Sequence, residues 1–296
     1  MTKSITNVCH SIRTRLLNIA KREGSFFQTI LTRYFHERLL YRIANSQFCS
    51  QFYLKGGALM YALNSMAARP TLDVDLLGVN IDNSHSNIIH AFKAICECDY
   101  CDDGVTFDAQ KIEASSITEF KDYVGVRLTI PVQMDTIQQR ISIDIGFGDV
   151  VTPGPIRIDY PRLINDLPCA SLFAYPIETL FAEKLHAVIE LGSQNSRMKD
   201  YYDLYNLLQN VEVGTTKLQR AVNCTFTARH TSYSPSASFF QPDFANNNQL
   251  AIRWNAFIRK LGLKDAPSFG QVVTTIQQQT LHLWTEYGLY TKQLHN

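Results

Sequence analysis

No run in this sequence approaches the roughly 18 consecutive apolar residues of a membrane span. Its start, Met1-Thr-Lys-Ser-Ile-Thr-Asn7, lacks the apolar core of a secretion signal. Cysteines do not pair up: seven of them, at 9, 49, 96, 98, 101, 169 and 224, are odd in number and scattered, which argues against a disulfide framework. Internal repeats are missing too. Together these absences point to a cytoplasmic protein with no membrane partner. What remains is ample for folding, since 296 residues with 45% hydrophobic content bury a good core in one large or two modest domains.

Net charge is also nearly absent, at +1, but its distribution is uneven. Residues 1–50 hold eight Lys and Arg against two acids, whereas residues 51–160 hold eight against fifteen. An acidic middle needs cations. Arg13, Arg15, Lys21, Arg22, Arg33, Arg38 and Arg42 fall on what reads as two helices. They read either as solvated faces of core helices or as contacts to a nucleic-acid backbone. Cys96, Cys98 and Cys101, with His90 as an imaginable fourth ligand, offer thiolates to zinc. No second Cys or His pair follows at zinc-finger spacing, so reduced thiols are the favoured reading.

The acidic middle contains the most informative stretch, Lys55-Gly-Gly-Ala-Leu-Met-Tyr-Ala-Leu-Asn-Ser-Met-Ala-Ala-Arg-Pro-Thr-Leu-Asp-Val-Asp-Leu-Leu77. Gly56 and Gly57 open a helical run, where bare backbone N–H groups suit a polyphosphate. Asp73 and Asp75 sit two apart in an apolar strand and project from one face, leaving Leu72, Val74 and Leu76 to fill the other. Like charges held that close need a cation between them, and oxygen-only ligands favour magnesium or manganese. An isolated Asp-x-Asp also occurs at solvated strand ends and in sugar-nucleotide transferases. In this order and setting it reads as a nucleotide-plus-metal site.

A third carboxylate lies in Arg140-Ile-Ser-Ile-Asp-Ile-Gly-Phe-Gly148, which alternates like a half-buried strand with Ile141, Ile143 and Ile145 on one side and Ser142 and Asp144 on the other. The bland reading is a strand aspartate facing solvent. The sharper one is three carboxylates on neighbouring strands, suited to two cations bridging a triphosphate.

These residues resemble the AbiEii/AbiGii abortive-infection toxins, within the DNA-polymerase-beta-type nucleotidyltransferase superfamily. The likeness runs through Leu54-Lys-Gly-Gly57, Arg69-Pro-Thr-Leu-Asp-Val-Asp75, Asp144-Ile-Gly-Phe-Gly-Asp149, Tyr175-Pro-Ile-Glu178, Ala182-Glu-Lys184, Asn195-Ser-Arg-Met-Lys-Asp-Tyr-Tyr-Asp203 and Thr225-Phe226. One departure is that Gly57 is followed by Ala58 where the superfamily usually has serine. The spacing from Gly57 to Asp73 is also longer than usual. The resemblance implies a nucleoside triphosphate substrate with Mg2+ or Mn2+ held by Asp73, Asp75 and Asp144. It further implies a phage-defence toxin with a cognate antitoxin, and a tRNA 3′ end as acceptor. Lys55, Gly56 and Gly57 are assigned to nucleotide binding. Lys184 and one of the Asp200/Asp203 pair are implied to be needed for activity, with Asp203 taken as catalytic and Asp200 as nucleotide-binding.

The second half carries the remaining basic candidates. Residues 178–190 read as an amphipathic helix with Leu180, Phe181, Leu185, Val188 and Ile189 as its stripe. In the next helix Asp200 and Asp203 share a face at i and i+3. Arg197 is placed to grip phosphates through its planar fork, and Lys184 or Lys199 as point charges. Lys and Asp on two helices also occur as plain surface ion-pair networks.

The expected architecture is α+β: a polymerase-beta-type mixed sheet with flanking helices in residues 1–160, including two N-terminal helices, then a mainly helical domain in 161–296, with a nucleotide cleft between them. Strands are expected near 51–55, 73–79, 105–113, 123–132 and 140–147. Helices are expected near 4–22, 25–45, 84–97, 176–191, 198–209, 214–223, 249–262 and 268–286, with breaks at Pro153-Gly154-Pro155 and Tyr160-Pro161. Open alternatives are nucleotide transfer onto a protein side chain, kinase-like transfer of the gamma-phosphate, and a non-catalytic nucleotide-binding protein.

Overall fold

The computed structural model describes residues 5–64, 71, 73–98, 102–120, 123–263 and 265–294. The chain divides into two compact units, Met1–Gly148 with Ile156–Ala174, and Asp149–Pro155 with Tyr175–Asn296. Of the sequence motif that opens the acidic strand, Arg69, Pro70 and Leu72 lie outside the described residues, as does Cys101.

The first unit begins with two helices, α1 (Ile5–Glu23) and α2 (Phe27–Asn45). Strand β1 (Phe52–Lys55) runs straight into α3 (Gly56–Asn64), and β2 (Asp73–Gly78) is followed by α4 (His85–Glu97). Then come β3 (Thr106–Phe107), β4 (Glu113–Phe120), β5 (Tyr123–Met134), β6 (Ile137–Phe147), β7 (Ile156–Asp159) and β8 (Ser171–Ala174). They form one mixed sheet in the order β3-β5-β6-β2-β1-β8-β7, with β4 also pairing β5. The expected strand at 105–113 is instead the two-residue β3, a 3-10 turn at Ala109–Lys111 and the start of β4. Strands β7 and β8 were not expected; at four residues each, their patterns are too short to stand out.

Alternation explains how the sheet is built. Val74 and Leu76 of β2, Ile141, Ile143 and Ile145 of β6, and Val126, Leu128, Ile130 and Val132 of β5 are all buried. With Ile88, Phe92 and Ile95 of α4 and Leu39 and Ile43 of α2, also buried, they supply the apolar core of this unit. Phe52 of β1 and Phe92 meet edge to face at 5.1 Å. The alternate residues on these strands are left for polar work.

Helix α2 departs from the sequence reading. Arg38 is fully buried against Glu37, and Arg42 holds Asp103 through two bonds of 2.8 and 3.2 Å. Glu37 in turn accepts the Leu163 amide at 2.8 Å, and Arg38 donates to the Pro168 carbonyl at 3.1 Å. These cations are neither a solvated face nor a nucleic-acid surface; they tie α2 to loops of its own unit. Arg33 pairs with Glu23 and Tyr61, and Arg15 with Asp166. Arg13, Lys21 and Arg22 stay exposed.

The second unit is helical: α5 (Ile177–Leu191), α6 (Met198–Leu207), α7 (Thr216–Ala228), α8 (Asn248–Leu261) and α9 (Phe269–Leu294). The expected stripe of α5 is buried throughout. Phe226 of α7 packs edge to face on His186 and Tyr287, with ring centroids 5.5 and 5.2 Å away. Asn247 caps α8 by accepting the Gln249 and Leu250 amides, and Gly262 ends it in the left-handed region at φ 72°. Helix α9 runs eight residues beyond the expected end at 286. Among the described residues, no helix is long and apolar enough to cross a membrane.

Candidate active site

Four charged residues stand in register across four strands of the first unit. Lys55 of β1 is directly opposite Asp75 of β2, Asp75 is aligned with Asp144 of β6, and Asp144 is opposite Arg127 of β5. Paired residues on adjacent strands point to the same face, about 4.7–4.9 Å apart in the hydrogen-bonding direction. The row therefore reads positive, negative, negative, positive across one face. Asp73 lies one step along, aligned with Ser142. The other face at this level is Leu54, Leu76, Ile145 and Val126, all buried. Thus Asp73, Asp75 and Asp144 do share a face, and Lys55 joins them.

Each strand end is shaped to allow this. Gly56 takes φ +60°, and a Cβ there would lie 2.0 Å from Asp75 Oδ2. Only glycine permits both the backbone conformation and the close approach. The next amide, Gly57 N–H, donates to that Oδ2 at 3.3 Å. In this structure the glycine pair seats the Asp75 carboxylate, a job that the sequence reading, which looked toward phosphate, did not anticipate.

Arg127 holds Asp144 from the other side. Its Nε donates to Oδ1 at 2.7 Å and its Nη2 to Oδ2 at 2.6 Å, a two-pronged charge-assisted contact. Those bonds raise the guanidinium pKa above its ordinary value against the opposing effect of partial burial, and attraction to Asp144, Asp73 and Asp75 adds to the rise. Arg127 therefore feels all three carboxylates. The sequence reading missed it, although a signal existed. β5 and β6 are joined through Asp135-Thr136, with Met134 opposite Ile137, and counting back from that turn sets 127 against 144.

The donor set suits a hard divalent cation, being carboxylate oxygens on two neighbouring strands. Among the described residues, however, no three His, Cys, Asp or Glu side chains converge as a metal cage. Asp75 turns to an amide and Asp144 to a guanidinium. The Cys96 segment offers no alternative. Cys96 is buried, with burial the main cause pushing its thiol up to about 12; Cys98 donates to the Ala94 carbonyl at 3.2 Å, and His90 is exposed.

The second unit gathers the other candidates. Lys184 Nζ on α5 donates to Asp200 Oδ1 at 2.8 Å and lies 3.2 Å from Asp203 Oδ2. Both aspartates are buried on α6. Burial pushes the Asp200 carboxyl up, but Lys184 and Arg197 outweigh it, and its pKa ends below the usual range; Lys199 adds a further pull. Arg197 Nε stands 3.8 Å from Asp200 Oδ2. The buried Asn195 accepts the Arg197 amide at 2.7 Å and so shapes the start of α6.

A second buried ionic group was not read from the sequence. Arg229 at the end of α7 reaches Asp149 at 2.9 Å and Glu183 at 2.6 Å. Tyr175 donates to Asp149 Oδ2 at 3.2 Å. His186 lies beside this group, with burial first and Arg229 second lowering its pKa to about 3. Asp149, Tyr175 and Glu183 were noticed only as family motif residues; here Asp149 and Glu183 are partners of one arginine, and Tyr175 bonds Asp149.

Comparison with known proteins bears on both units. Curated proteins give no match. Among solved structures, JHP933 from Helicobacter pylori is similar at 12% identity and a TM-score of 0.51, over 90% of this chain and 97% of that one, a likeness of fold alone. A proposed nucleotidyltransferase from H. pylori reaches 13% identity and a TM-score of 0.49, over 89% of this chain and 97% of its own. The profile of the family described as nucleotidyl transferase AbiEii toxin, Type IV TA system, matches residues 38–275. That span covers well over half of the chain and takes in every candidate residue above, so the protein belongs to the AbiEii nucleotidyltransferase toxins of type IV toxin–antitoxin systems.

Proposed function

We propose that this nucleotidyltransferase moves a nucleoside monophosphate from a triphosphate to the 3′ hydroxyl of a tRNA, acting in the cytoplasm as the toxin of a phage-defence pair with a cognate antitoxin. The observation that carries the reading is the aligned row Lys55–Asp75–Asp144–Arg127 with Asp73 beside it, on a chain of this family. Asp73, Asp75 and Asp144 would hold Mg2+ or Mn2+. When bound, such an ion supplies charge neutralisation for the triphosphate. The acceptor oxygen bonds to the alpha-phosphorus as the bond to the bridging oxygen breaks and pyrophosphate leaves. Asp144 is the group we assign to polarise the acceptor hydroxyl and draw its proton.

Other residues have supporting assignments. Lys55 is the cation nearest Asp75 in the row, placed to offset phosphate charge, and Gly56 and Gly57 keep the strand-to-helix turn open. In the second unit, Lys184 is held as an ammonium by Asp200 and Asp203, a fixed point charge for a phosphate, with Arg197 and Lys199 as further phosphate ligands. A protein side chain is the second acceptor to consider. The burial of Arg38 and Arg42 favours it, because that removes two of the seven cations read as an RNA surface.

The deciding experiment incubates the purified chain with Mg2+ and each labelled triphosphate in turn, over total RNA and total protein. Label is expected in the tRNA fraction, and to vanish with Asp73→Ala or Asp75→Ala while circular dichroism is unchanged. Label in protein alone would reject the tRNA acceptor. Undiminished transfer by both variants would reject the carboxylate assignment.

A further inference from the structure

Both oxygens of Asp144 are engaged by one cationic side chain, that of Arg127. The fork of Arg127 fixes the carboxylate plane, and it lies on the same sheet face as Asp75. We propose that Arg127 is a built-in counter-cation: it neutralises the acidic row and competes with a divalent metal for Asp144. The inference rests on the reading of Asp73, Asp75 and Asp144 as cation ligands and goes one step past it.

The physical case has three parts. First, an ionised carboxylate has about four lone-pair sites, and a side-on guanidinium engages both of its oxygens, so two-oxygen coordination of a metal requires the fork to open. Secondly, a positive charge fixed against Asp144 repels an arriving dication whatever the coordination, and Arg127 lies within the electrostatic reach of Asp73 and Asp75 as well. Thirdly, the carboxylates do not converge as a cage among the described residues. The Arg127 fork holds Asp144, and the Gly57 amide holds Asp75.

Arg127 is suited to leaving. Its side chain is 45% exposed whereas that of Asp144 is 13% exposed, so the arginine can swing into water while the aspartate stays. Metal loading would then be coupled to release of a cation on the substrate side of the sheet. This sets the sign of an experiment. If Arg127 competes, removing its charge tightens metal binding. If it instead positions Asp144 as a ligand, removing it weakens metal binding.

The test titrates Mn2+ into wild type, Arg127→Gln, Arg127→Lys and Asp75→Asn, reading bound ion by electron paramagnetic resonance and melting temperature by circular dichroism. Solvent screening of a half-exposed pair holds the expected gain for Arg127→Gln to about tenfold tighter Mn2+ binding. Arg127→Lys keeps the charge but not the fork, and should bind Mn2+ more weakly than Arg127→Gln. Without metal, Arg127→Gln should melt lower than wild type and regain more on Mn2+ addition. Equal or weaker binding by Arg127→Gln overturns the counter-cation role. An Arg127→Lys variant that binds like Arg127→Gln also overturns it, because the fork and not the charge would then be decisive. Wild-type binding that is absent, or indifferent to Asp75→Asn, overturns the metal reading itself and this proposal with it.

Discussion

The Cα hydrogen of Gly56 faces the Asp75 carboxylate so closely that a methyl group in its place would stand 2.0 Å from Oδ2. At the first residue of helix α3, then, a missing side chain makes room for a charged one on the neighbouring strand. The φ of +60° at Gly56 adds a second demand for glycine.

Gly56→Ala is therefore expected to displace the Asp75 side chain and to lower stability by roughly 1–3 kcal/mol through backbone strain and overlap. Nucleotide transfer measures the first effect and urea unfolding the second. A variant as stable and active as wild type would mean that Asp75 adopts another rotamer without consequence.

Lys184 separates two buried aspartates. Replacing it with Met leaves Asp200 and Asp203 without their shared ammonium, at an expected cost of about 3–5 kcal/mol near pH 7. The sign of the pH dependence follows. In wild type the Asp200 pKa lies below its unfolded value of 3.8, so its stabilisation is present above that pH and lost as pH falls through the folded pKa. In Lys184→Met the largest pull against burial is gone, so that pKa rises although Arg197 and Lys199 still lower it. The stability gap between variant and wild type should then shrink as pH drops from 7 towards 4, measured by denaturant midpoints. A gap independent of pH would show that packing of the lysine chain, not its charge, is what matters.

Two histidines set a different limb. Burial lowers the pKa of His36 to about 4, and burial followed by Arg229 lowers that of His186 to about 3. A depressed histidine is neutral in the fold but protonates in the unfolded chain below about 6.5, so stability is full above that value and declines on acidification. Each should contribute a slope of roughly 1.4 kcal/mol per pH unit between about pH 6 and its folded pKa. His186→Gln should remove one such slope in guanidinium unfolding series at pH 8, 6 and 5. An unchanged slope would place the proton elsewhere.

The N-terminal cations divide by burial. Arg42→Met should destabilise the protein by about 3–5 kcal/mol, because it removes the guanidinium that pairs with buried Asp103, yet leave the salt dependence of RNA binding alone. A combined Arg13→Gln, Lys21→Gln, Arg22→Gln variant should do the reverse. Each lost phosphate contact flattens the slope of log affinity against log salt by roughly 0.7–0.9. If the triple variant binds tRNA like wild type at every salt concentration, the RNA lies on another surface.

Much of this was legible without coordinates, because it is local. Alternation alone sets Asp73 and Asp75 on one face, Asp144 opposite Ile143 and Ile145, and the stripe of α5 inward; side-chain direction in a strand or helix follows from a fixed backbone period. Asp200 and Asp203 sharing a helix face has the same origin. Family motifs in order along the chain supplied the rest of the functional reading. What the tertiary structure alone decided is partnership. Whether Arg38 meets solvent or the Pro168 carbonyl, whether Lys184 meets one aspartate or two, whether Gly57 serves a phosphate or Asp75, and which arginine gathers Asp149 and Glu183 all depend on elements distant in sequence. A charged side chain carries no sequence mark of its burial or its partner. Those are fixed only when strand register and helix packing bring a second charge within hydrogen-bond reach.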